Sequence, residues 1–270
     1  MDLDVLNQRG IVLVGAGRMG SAMLEGWLAR GLQPDAVHVI DPNPSPALIE
    51  RGIRFNGALP DDPAVVVIAV KPQMMADALP QLKGFGNGDT LILTVAAGVT
   101  IAAYERAFGA STPIVRIMPN TPAAIGQGIS AIIGNAAAGP ADLALAESLM
   151  SAVGQVVRLD DESQMDAVTA LSGSGPAYVF HLIETMAAGG EAQGLSPELA
   201  LQLARATVAG AGQLALVGDL PPGKLRENVT SPGGTTAAAL KILMDGETGF
   251  PPLLRRAIAA AADRGRELGA

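Results

Sequence analysis

Hydroxyls and paired glycines crowd the segment Leu225-Arg226-Glu227-Asn228-Val229-Thr230-Ser231-Pro232-Gly233-Gly234-Thr235-Thr236, which runs into the alanine-rich Ala237-Ala238-Ala239-Leu240. Read as a tight loop opening a helix, it offers backbone N–H groups that a ligand can approach closely. A helix start adds unsatisfied donors and a partial positive charge. Such a loop suits a small carboxylate. Near the other end of the chain, Gly15-Ala16-Gly17-Arg18-Met19-Gly20 follows the apolar run Ile11-Val12-Leu13-Val14. In that order Gly15 permits a tight turn, Gly17 lets a pyrophosphate approach the backbone, and Gly20 lets the next helix lie close to the sheet. A glycine fingerprint by itself is weak, an ordinary strand-to-helix turn being the alternative. Its place after a strand, at a helix start and inside a βαβ unit favours a dinucleotide. Together the two segments point to an oxidoreductase acting on a small anionic substrate.

Other residues fall where they could serve that chemistry. Asp41 ends the second apolar run, roughly twenty residues after the fingerprint, where an acidic side chain can accept from a ribose 2′-hydroxyl and repel a 2′-phosphate. Taken alone it favours NADH over NADPH; the alternative is a turn-forming Asp before Pro42. No arginine follows immediately to cradle a phosphate, so cofactor choice stays open. Ala69-Val70-Lys71, before Pro72, end a strand at the carboxyl edge of the expected sheet, where ligands bind in open α/β folds. Lys71 either lies against the cofactor or is a solvated loop lysine. Val95-Ala96-Ala97-Gly98 and Met118-Pro119-Asn120-Thr121-Pro122 end later strands at the same edge, with small residues that leave room for a nicotinamide. Ser172-Gly173-Ser174-Gly175-Pro176 reads either as a flexible hinge or as a loop facing the active site. His38 and His181 are isolated from any metal partner or nucleophile, and structural or surface roles are expected for both.

The elements that must position these residues are an α/β array followed by helices. Apolar runs at 11–15, 37–40, 64–70, 91–95, 114–117, 128–133 and 153–159 have the pattern of buried strands, mostly separated by helix-length segments, the first of them 19–30. The alternation predicts a Rossmann-like domain with a mostly parallel sheet covered on both faces, over residues 1–160. From residue 161 to 270 the pattern is all-helical, with candidate helices at 162–171, 176–193, 197–217, 235–244 and 251–268. No linker or internal repeat is evident.

Composition narrows the function classes. With 49% hydrophobic and 16% charged residues, the chain is expected to fold rather than remain disordered. Aromatics are only 3%, so helices must pack through Ala, Val, Leu, Ile and Met, and an all-helical domain of that kind often pairs with a copy of itself. A net charge of −8 argues against nucleic acid as a partner. The absence of cysteine excludes disulfides, thiol catalysis and cysteine-based metal sites, and no metal is expected. The start, Met1-Asp2-Leu3-Asp4, lacks the basic and apolar regions of a secretion signal, and no apolar run approaches the ~20 residues of a membrane span. The expected location is the cytoplasm, without a membrane partner.

Val229-Thr230-Ser231-Pro232-Gly233-Gly234-Thr235-Thr236, preceded by Leu225-Arg226, closely resembles the signature of the pyrroline-5-carboxylate reductase family. The likeness covers nearly the whole chain in order and spacing: the glycine fingerprint, Val70-Lys71-Pro72, Ala96-Ala97-Gly98-Val99, Asn120-Thr121-Pro122 and the stretch 171–178. The resemblance implies reduction of the cyclic imine 1-pyrroline-5-carboxylate to L-proline with NADPH or NADH, the last step of proline biosynthesis. It also implies a Rossmann-like N-terminal domain, a helical C-terminal domain that interlocks with its partner's in a homodimer, and larger rings of dimers such as a decamer. By position, Thr235 and Thr236 match residues that hold the substrate, with Ser231, Gly233 and Gly234 beside them and Glu162 another substrate neighbour. Asn56, Lys71, Ala97 and Asn228 match cofactor contacts, Asn228 reaching across the dimer. Asp41 departs from the small polar residue often found there, against a strict NADPH preference, whereas Asn56 pulls the other way.

The implied reaction needs a hydride on the imine carbon and a proton on nitrogen. N–H groups of residues 233–236 are expected to grip the carboxylate. The Thr236 hydroxyl, too weak an acid to be the sole proton source, would orient the ring nitrogen or relay water's proton. Two other readings compete. A β-hydroxyacid dehydrogenase would need a helix-borne lysine, but Lys224 and Lys241 lack a Gly-Gly-x-x-Lys setting. A non-catalytic NAD(P)-binding sensor would bind cofactor without turnover.

Overall fold

A computed structural model describes residues 3–269; Met1 and Asp2, part of the acidic start, lie outside them. In chain order the first elements are α1 (Leu3–Arg9), β1 (Ile11–Val14), α2 (Arg18–Ala29), β2 (Val37–Ile40), α3 (Pro46–Glu50), β3 (Arg54–Phe55) and β4 (Val65–Ile68). There follow α4 (Met75–Leu82), β5 (Leu91–Thr94), α5 (Ile101–Phe108), β6 (Ile114–Met118), β7 (Gly128–Gly134), α6 (Pro140–Met150) and β8 (Gly154–Arg158). After the last strand come α7 (Met165–Val168), α8 (Gly175–Ala192), α9 (Pro197–Val217), α10 (Pro222–Asn228), α11 (Thr235–Leu243) and α12 (Phe250–Gly269).

The strands make one sheet in the order β3-β2-β1-β4-β5-β6-β7-β8. β1, β4 and β5 are buried along their whole length, as their unbroken Val, Ile and Leu runs require when helices cover both faces. On one face the core gathers Met23, Leu24 and Trp27 of α2 with Leu149 and Met150 of α6. Trp27 is fully buried, and its Nε1–H donates to the Leu149 carbonyl at 3.0 Å, so α2 and α6 are joined by apolar burial and a satisfied donor together. The other face is closed by Tyr104 and Phe108 of α5 with Met75 and Leu82 of α4. There the Thr94 hydroxyl donates to the Tyr104 oxygen at 2.5 Å, and burial pushes the Tyr104 phenol up to about 12.

The sheet is mostly parallel, as expected, with one antiparallel pairing. β7 runs antiparallel to β6, pairing Val115 with Gly134 and Met118 with Ala131. Only residues 119–127 join the two strands, fewer than the dozen or so a parallel crossover needs. Short elements were not anticipated, among them α1, the two-residue β3 and α10, all too short to show periodicity.

The chain forms two compact units. The first runs to Gly173 and takes in the end of α12 from Ala262; the second is Ser174–Ala261. The sheet ends at Arg158, but the first unit extends past the expected limit of 160 because Glu162 and the turns after it remain attached to it. The single helix expected over 162–171 is three successive turns: a 3₁₀ turn at Glu162–Gln164, α7, and a π-helical turn at Thr169–Gly173.

In the second unit α8 packs along α9. Its buried hydrophobic cluster holds only Ala187, Ala200 and Ala204, with Ile183 and Leu201 partly covered. Large apolar side chains instead face outward, among them Leu203, Leu216, Ile242 and Leu253. Among the described residues no helix is long and apolar enough to cross a membrane.

Candidate active site

The parallel strands β1, β2, β4, β5 and β6 end at one edge of the sheet, and the turns that leave them carry most of the residues singled out in the first unit. At the first of these turns the three glycines have three separate reasons. Gly15 has φ +94°, and a Cβ there would lie 2.9 Å from the Ala69 carbonyl oxygen. A Cβ on Gly20 would fall 2.1 Å from the Gly15 oxygen, so only glycine lets α2 start this close to β1. A Cβ on Gly17 would meet nothing within 4 Å. The outer glycines are thus imposed by the protein's own backbone, whereas the middle one borders open space of the kind a phosphate needs.

Donors face that space. Gly17 is the N-cap of α2 with no side-chain cap, and the first helical bond is Ser21 N–H to the Gly17 carbonyl at 2.8 Å. The N–H groups of Arg18, Met19 and Gly20 precede it and lie at the positive end of the helix dipole. The residues present therefore fit a dinucleotide pyrophosphate.

Asp41 is tied into this turn. Its Oδ2 accepts the Ala16 N–H at 2.6 Å and its Oδ1 accepts the Asn43 N–H at 2.8 Å, so the turn-forming reading and a reach toward the glycine loop both hold. Asn56, at φ +52°, brackets the Asp41 main chain: its Oδ1 accepts the Asp41 N–H at 3.0 Å and its Nδ2 donates to the Asp41 carbonyl at 2.8 Å. Beside them, Ala69 donates its N–H to the Val14 carbonyl at 2.8 Å, and half-buried Val70 leads to an exposed Lys71 that opens the turn Pro72–Met74. After β5, Ala96 is buried, Ala97 half-buried, and Gly98 has φ +77° with Leu268 of α12 beside it.

At the end of β6 the structure departs from expectation. Asn120 Oδ1 accepts the Ile129 N–H at 3.0 Å, and Asn120 Nδ2 donates to the Ser172 hydroxyl at 3.3 Å. A Cβ on Gly173 would lie 2.5 Å from the Met118 methyl. Ser172 and Gly173 belong to the π-helical turn seated against the strand end, a geometry that recurs at functional sites, and are no free hinge. Glu162, carried over as a substrate neighbour, has Oε1 against both Arg116 Nη1 (2.6 Å) and the Ile101 N–H (2.8 Å) at the start of α5.

The Gly-Gly-Thr-Thr segment lies in the second unit. Residues 225–228, expected as loop, form the end of α10, and Asn228 is its last residue. Thr230 closes that helix, its hydroxyl donating to the Arg226 carbonyl at 2.6 Å and its N–H to the Glu227 carbonyl at 3.0 Å. A turn follows from Ser231, with the Gly234 N–H on the Ser231 carbonyl at 3.0 Å and Gly233 at φ +71°. Gly234 is the N-cap of α11 and makes no side-chain cap. Since the first helical bond is Ala238 N–H to the Gly234 carbonyl, the N–H groups of Thr235, Thr236 and Ala237 precede it. Thr235 is exposed and Thr236 half-buried. Three backbone donors and two adjacent hydroxyls thus gather at an uncapped helix start, where an anion is favoured.

Residues 162–268 match the family described as pyrroline-5-carboxylate reductase dimerisation, and residues 10–98 match one described as NADP oxidoreductase, coenzyme F420-dependent. A pyrroline-5-carboxylate reductase from Pseudomonas aeruginosa is 40% identical over 264 residues, covering 96% of each chain. The chain belongs to the pyrroline-5-carboxylate reductase family. A member from Methanosarcina acetivorans is 39% identical, covering 97% of this chain and 98% of its own. The structure of a pyrroline-5-carboxylate reductase from Coxiella burnetii superposes with a TM-score of 0.89 at 34% identity, covering 98% of this chain and all of that one. The Plasmodium falciparum pyrroline carboxylate reductase, with NADP bound, gives 0.85 at 27% identity, covering 98% and 99%.

Within this pyrroline-5-carboxylate reductase family member, sequence reasoning missed Arg116 and the tie from Asp41 to Ala16. Arg116 did carry a signal: a guanidinium in the middle of the apolar strand Ile-Val-Arg-Ile-Met requires a buried acceptor nearby. His38, in β2, holds the Ala58 carbonyl through Nδ1 at 3.1 Å, and His181, on α8, lies 3.1 Å from Glu184. Among the described residues no group of three or more His, Asp or Glu side chains is placed to hold a metal ion.

Proposed function

We propose that this protein reduces 1-pyrroline-5-carboxylate to L-proline with NADH or NADPH, the closing step of proline biosynthesis. The observation that carries the reading is the uncapped start of α11, where Gly233-Gly234-Thr235-Thr236 presents backbone donors and hydroxyls to a small carboxylate. Membership of the family and the open space beside Gly17 support it. The bound nicotinamide, when present, supplies the hydride.

The chain's own residues bind and orient. Gly17 and the first turn of α2 hold the pyrophosphate, with Gly15, Ala16, Arg18, Met19 and Gly20 shaping the turn. Asp41, Asn56, Ala69, Val70, Lys71 and Ala97 line the rest of the cofactor's course, and Asn228 contributes from across a dimer. Ser231, Gly233, Gly234 and Thr235 hold the substrate carboxylate, while Thr236 hydrogen-bonds the ring nitrogen and fixes which face of the imine is presented. Orientation of this kind is the main requirement, because a protonated imine is already electrophilic and reacting carbons must meet at about 3–3.5 Å. Glu162, a substrate neighbour, also braces the site through its bonds to Arg116 and the start of α5.

In this reading residues 1–160 serve the cofactor and 161–270 serve substrate and pairing. The protein works in the cytoplasm as a homodimer, with rings of dimers as a larger form. The outward Leu203, Leu216, Ile242 and Leu253 support pairing, since a single copy buries so little between its helices.

The test follows NAD(P)H absorbance with pyrroline-5-carboxylate, then with piperideine carboxylate and with hydroxy acids. Turnover of the five-membered imine, well above the others, is expected. Turnover of a hydroxy acid alone, or cofactor binding with no turnover at all, would overturn it.

A further inference from the structure

Asp41 does more than end a strand. Its carboxylate is fixed from two directions, Oδ2 on the Ala16 N–H at 2.6 Å and Oδ1 on the Asn43 N–H at 2.8 Å. Its main chain is held in addition by both ends of the Asn56 amide, a residue kept at φ +52° to do so. Four hydrogen bonds therefore set a negative charge against the glycine turn, with little freedom to swing away.

Nothing in the following segment offsets that charge. Residues 42–50 contain no Lys or Arg, and the first cation beyond them, Arg51, is paired with Glu25 of α2. The Asn56 amide is oriented by the Asp41 backbone on both sides, and the single N–H left over on its Nδ2 carries no charge to set against a phosphate. At the carboxyl end of β2 an acidic side chain accepts from the 2′-hydroxyl of an adenosine ribose, whereas a 2′-phosphate would bring close to two further negative charges alongside it.

We infer that Asp41, held by Ala16, Asn43 and Asn56, selects the unphosphorylated dinucleotide, so that this protein prefers NADH to NADPH. The inference rests on the reading above that the first unit binds a nicotinamide dinucleotide, and it names which one. Asn56 acts here as a positioning residue, through Asp41.

Direct binding separates the two. Fluorescence titration of the purified protein with NADH and with NADPH, at fixed moderate salt and without imine, should give an NADH dissociation constant lower by roughly tenfold or more, since like charges a few ångströms apart are only partly screened. Asp41→Asn keeps an acceptor for the Ala16 N–H and removes the charge; it should bring the two constants within about threefold, mainly by tightening NADPH. Asp41→Ser should do the same, so the outcome does not hang on one substitution folding well. Equal affinities in the native protein, a preference for NADPH, or a ratio that Asp41→Asn leaves in place would overturn the inference while leaving the reductase reading intact. Failure of both dinucleotides to bind would overturn the reductase reading, and this inference with it.

Discussion

Arg116, inside the sheet with its side chain 7% exposed, points Nη1 at Glu162 Oε1 from 2.6 Å, and that same oxygen receives the Ile101 N–H. One carboxylate thus neutralises a strand charge and anchors the first turn of a helix. Removing one partner of a buried pair costs about 3–5 kcal/mol because the other is left charged and unpaired. Glu162 is partly open to solvent, so Glu162→Ala should fall at or just below the lower end, about 2–3 kcal/mol. Glu162→Gln keeps an acceptor for Ile101 and should lose less. Urea denaturation midpoints of the two variants check the order.

Gly17 and Gly20 should respond in opposite ways to the same methyl group. At Gly20 the added Cβ would sit 2.1 Å from the Gly15 oxygen, forcing α2 off the sheet, so Gly20→Ala should cost about 3 kcal/mol or more. At Gly17 nothing lies within 4 Å, so Gly17→Ala should fold with stability changed by less than about 1 kcal/mol. Its dinucleotide dissociation constant should nonetheless rise about tenfold or more, since the methyl enters the space left for phosphate. Thermal melts and cofactor titration on both variants distinguish a structural glycine from a ligand glycine.

Thr236→Ala should lower kcat/KM for pyrroline-5-carboxylate about ten- to a hundredfold, the effect of losing one hydrogen bond to a charged ligand, about 1.5–3 kcal/mol. None of the hydrogen bonds that shape the loop uses the Thr236 hydroxyl, so the melting temperature should stay put. Unaltered kinetics would remove this hydroxyl from the reaction.

Leu216 and Ile242 are 60% and 73% exposed. If a second copy covers them, Leu216→Glu together with Ile242→Glu would bury two charges at the seam. Light scattering on a sizing column should then show a species of smaller mass than the native protein, with dinucleotide binding weakened by loss of the partner's Asn228 while far-UV circular dichroism stays native.

His38 provides a pH test. Burial is the main reason its pKa lies below the ordinary 6.5, its bond to the Ala58 carbonyl opposing and the Arg54 charge adding to the drop. The unfolded chain therefore takes up the proton first as pH falls. The contribution to stability is complete above pH 6.5 and is lost as pH drops through that value toward the lower folded pKa. His38→Gln should flatten the stability profile in that window, read as urea midpoints from pH 8 to 5.

Much of this was legible in the residues, and the failures have physical causes. Buried runs such as Val-Val-Val-Ile at β4 announce themselves because covering both faces leaves no polar alternation, and Pro197 and Gly218 mark the ends of α9 through restricted φ and the missing Cβ. The reversal at β7 was readable in principle from the short 119–127 link, yet apolar content alone is blind to strand direction. The helical state of residues 225–228 escaped because Asn228 and Val229 have weak helix propensity and the nearby Gly-Gly pair dominates the local signal. The inward bonds of Glu162 to Arg116 and Ile101 escaped because they join positions that no local window spans. The same holds for the reach from Asp41 to Ala16.

Ala187, Ala200 and Ala204 are a thin interior for a unit the size of Ser174–Ala261. Three methyl groups contribute little by themselves, so the proposed pairing should supply much of this half's cohesion and its melting point should climb with protein concentration. The dependence has a genetic face as well. A copy damaged in this region would weaken any sound subunit it joined, so such lesions should behave as dominant ones in a cell that makes both.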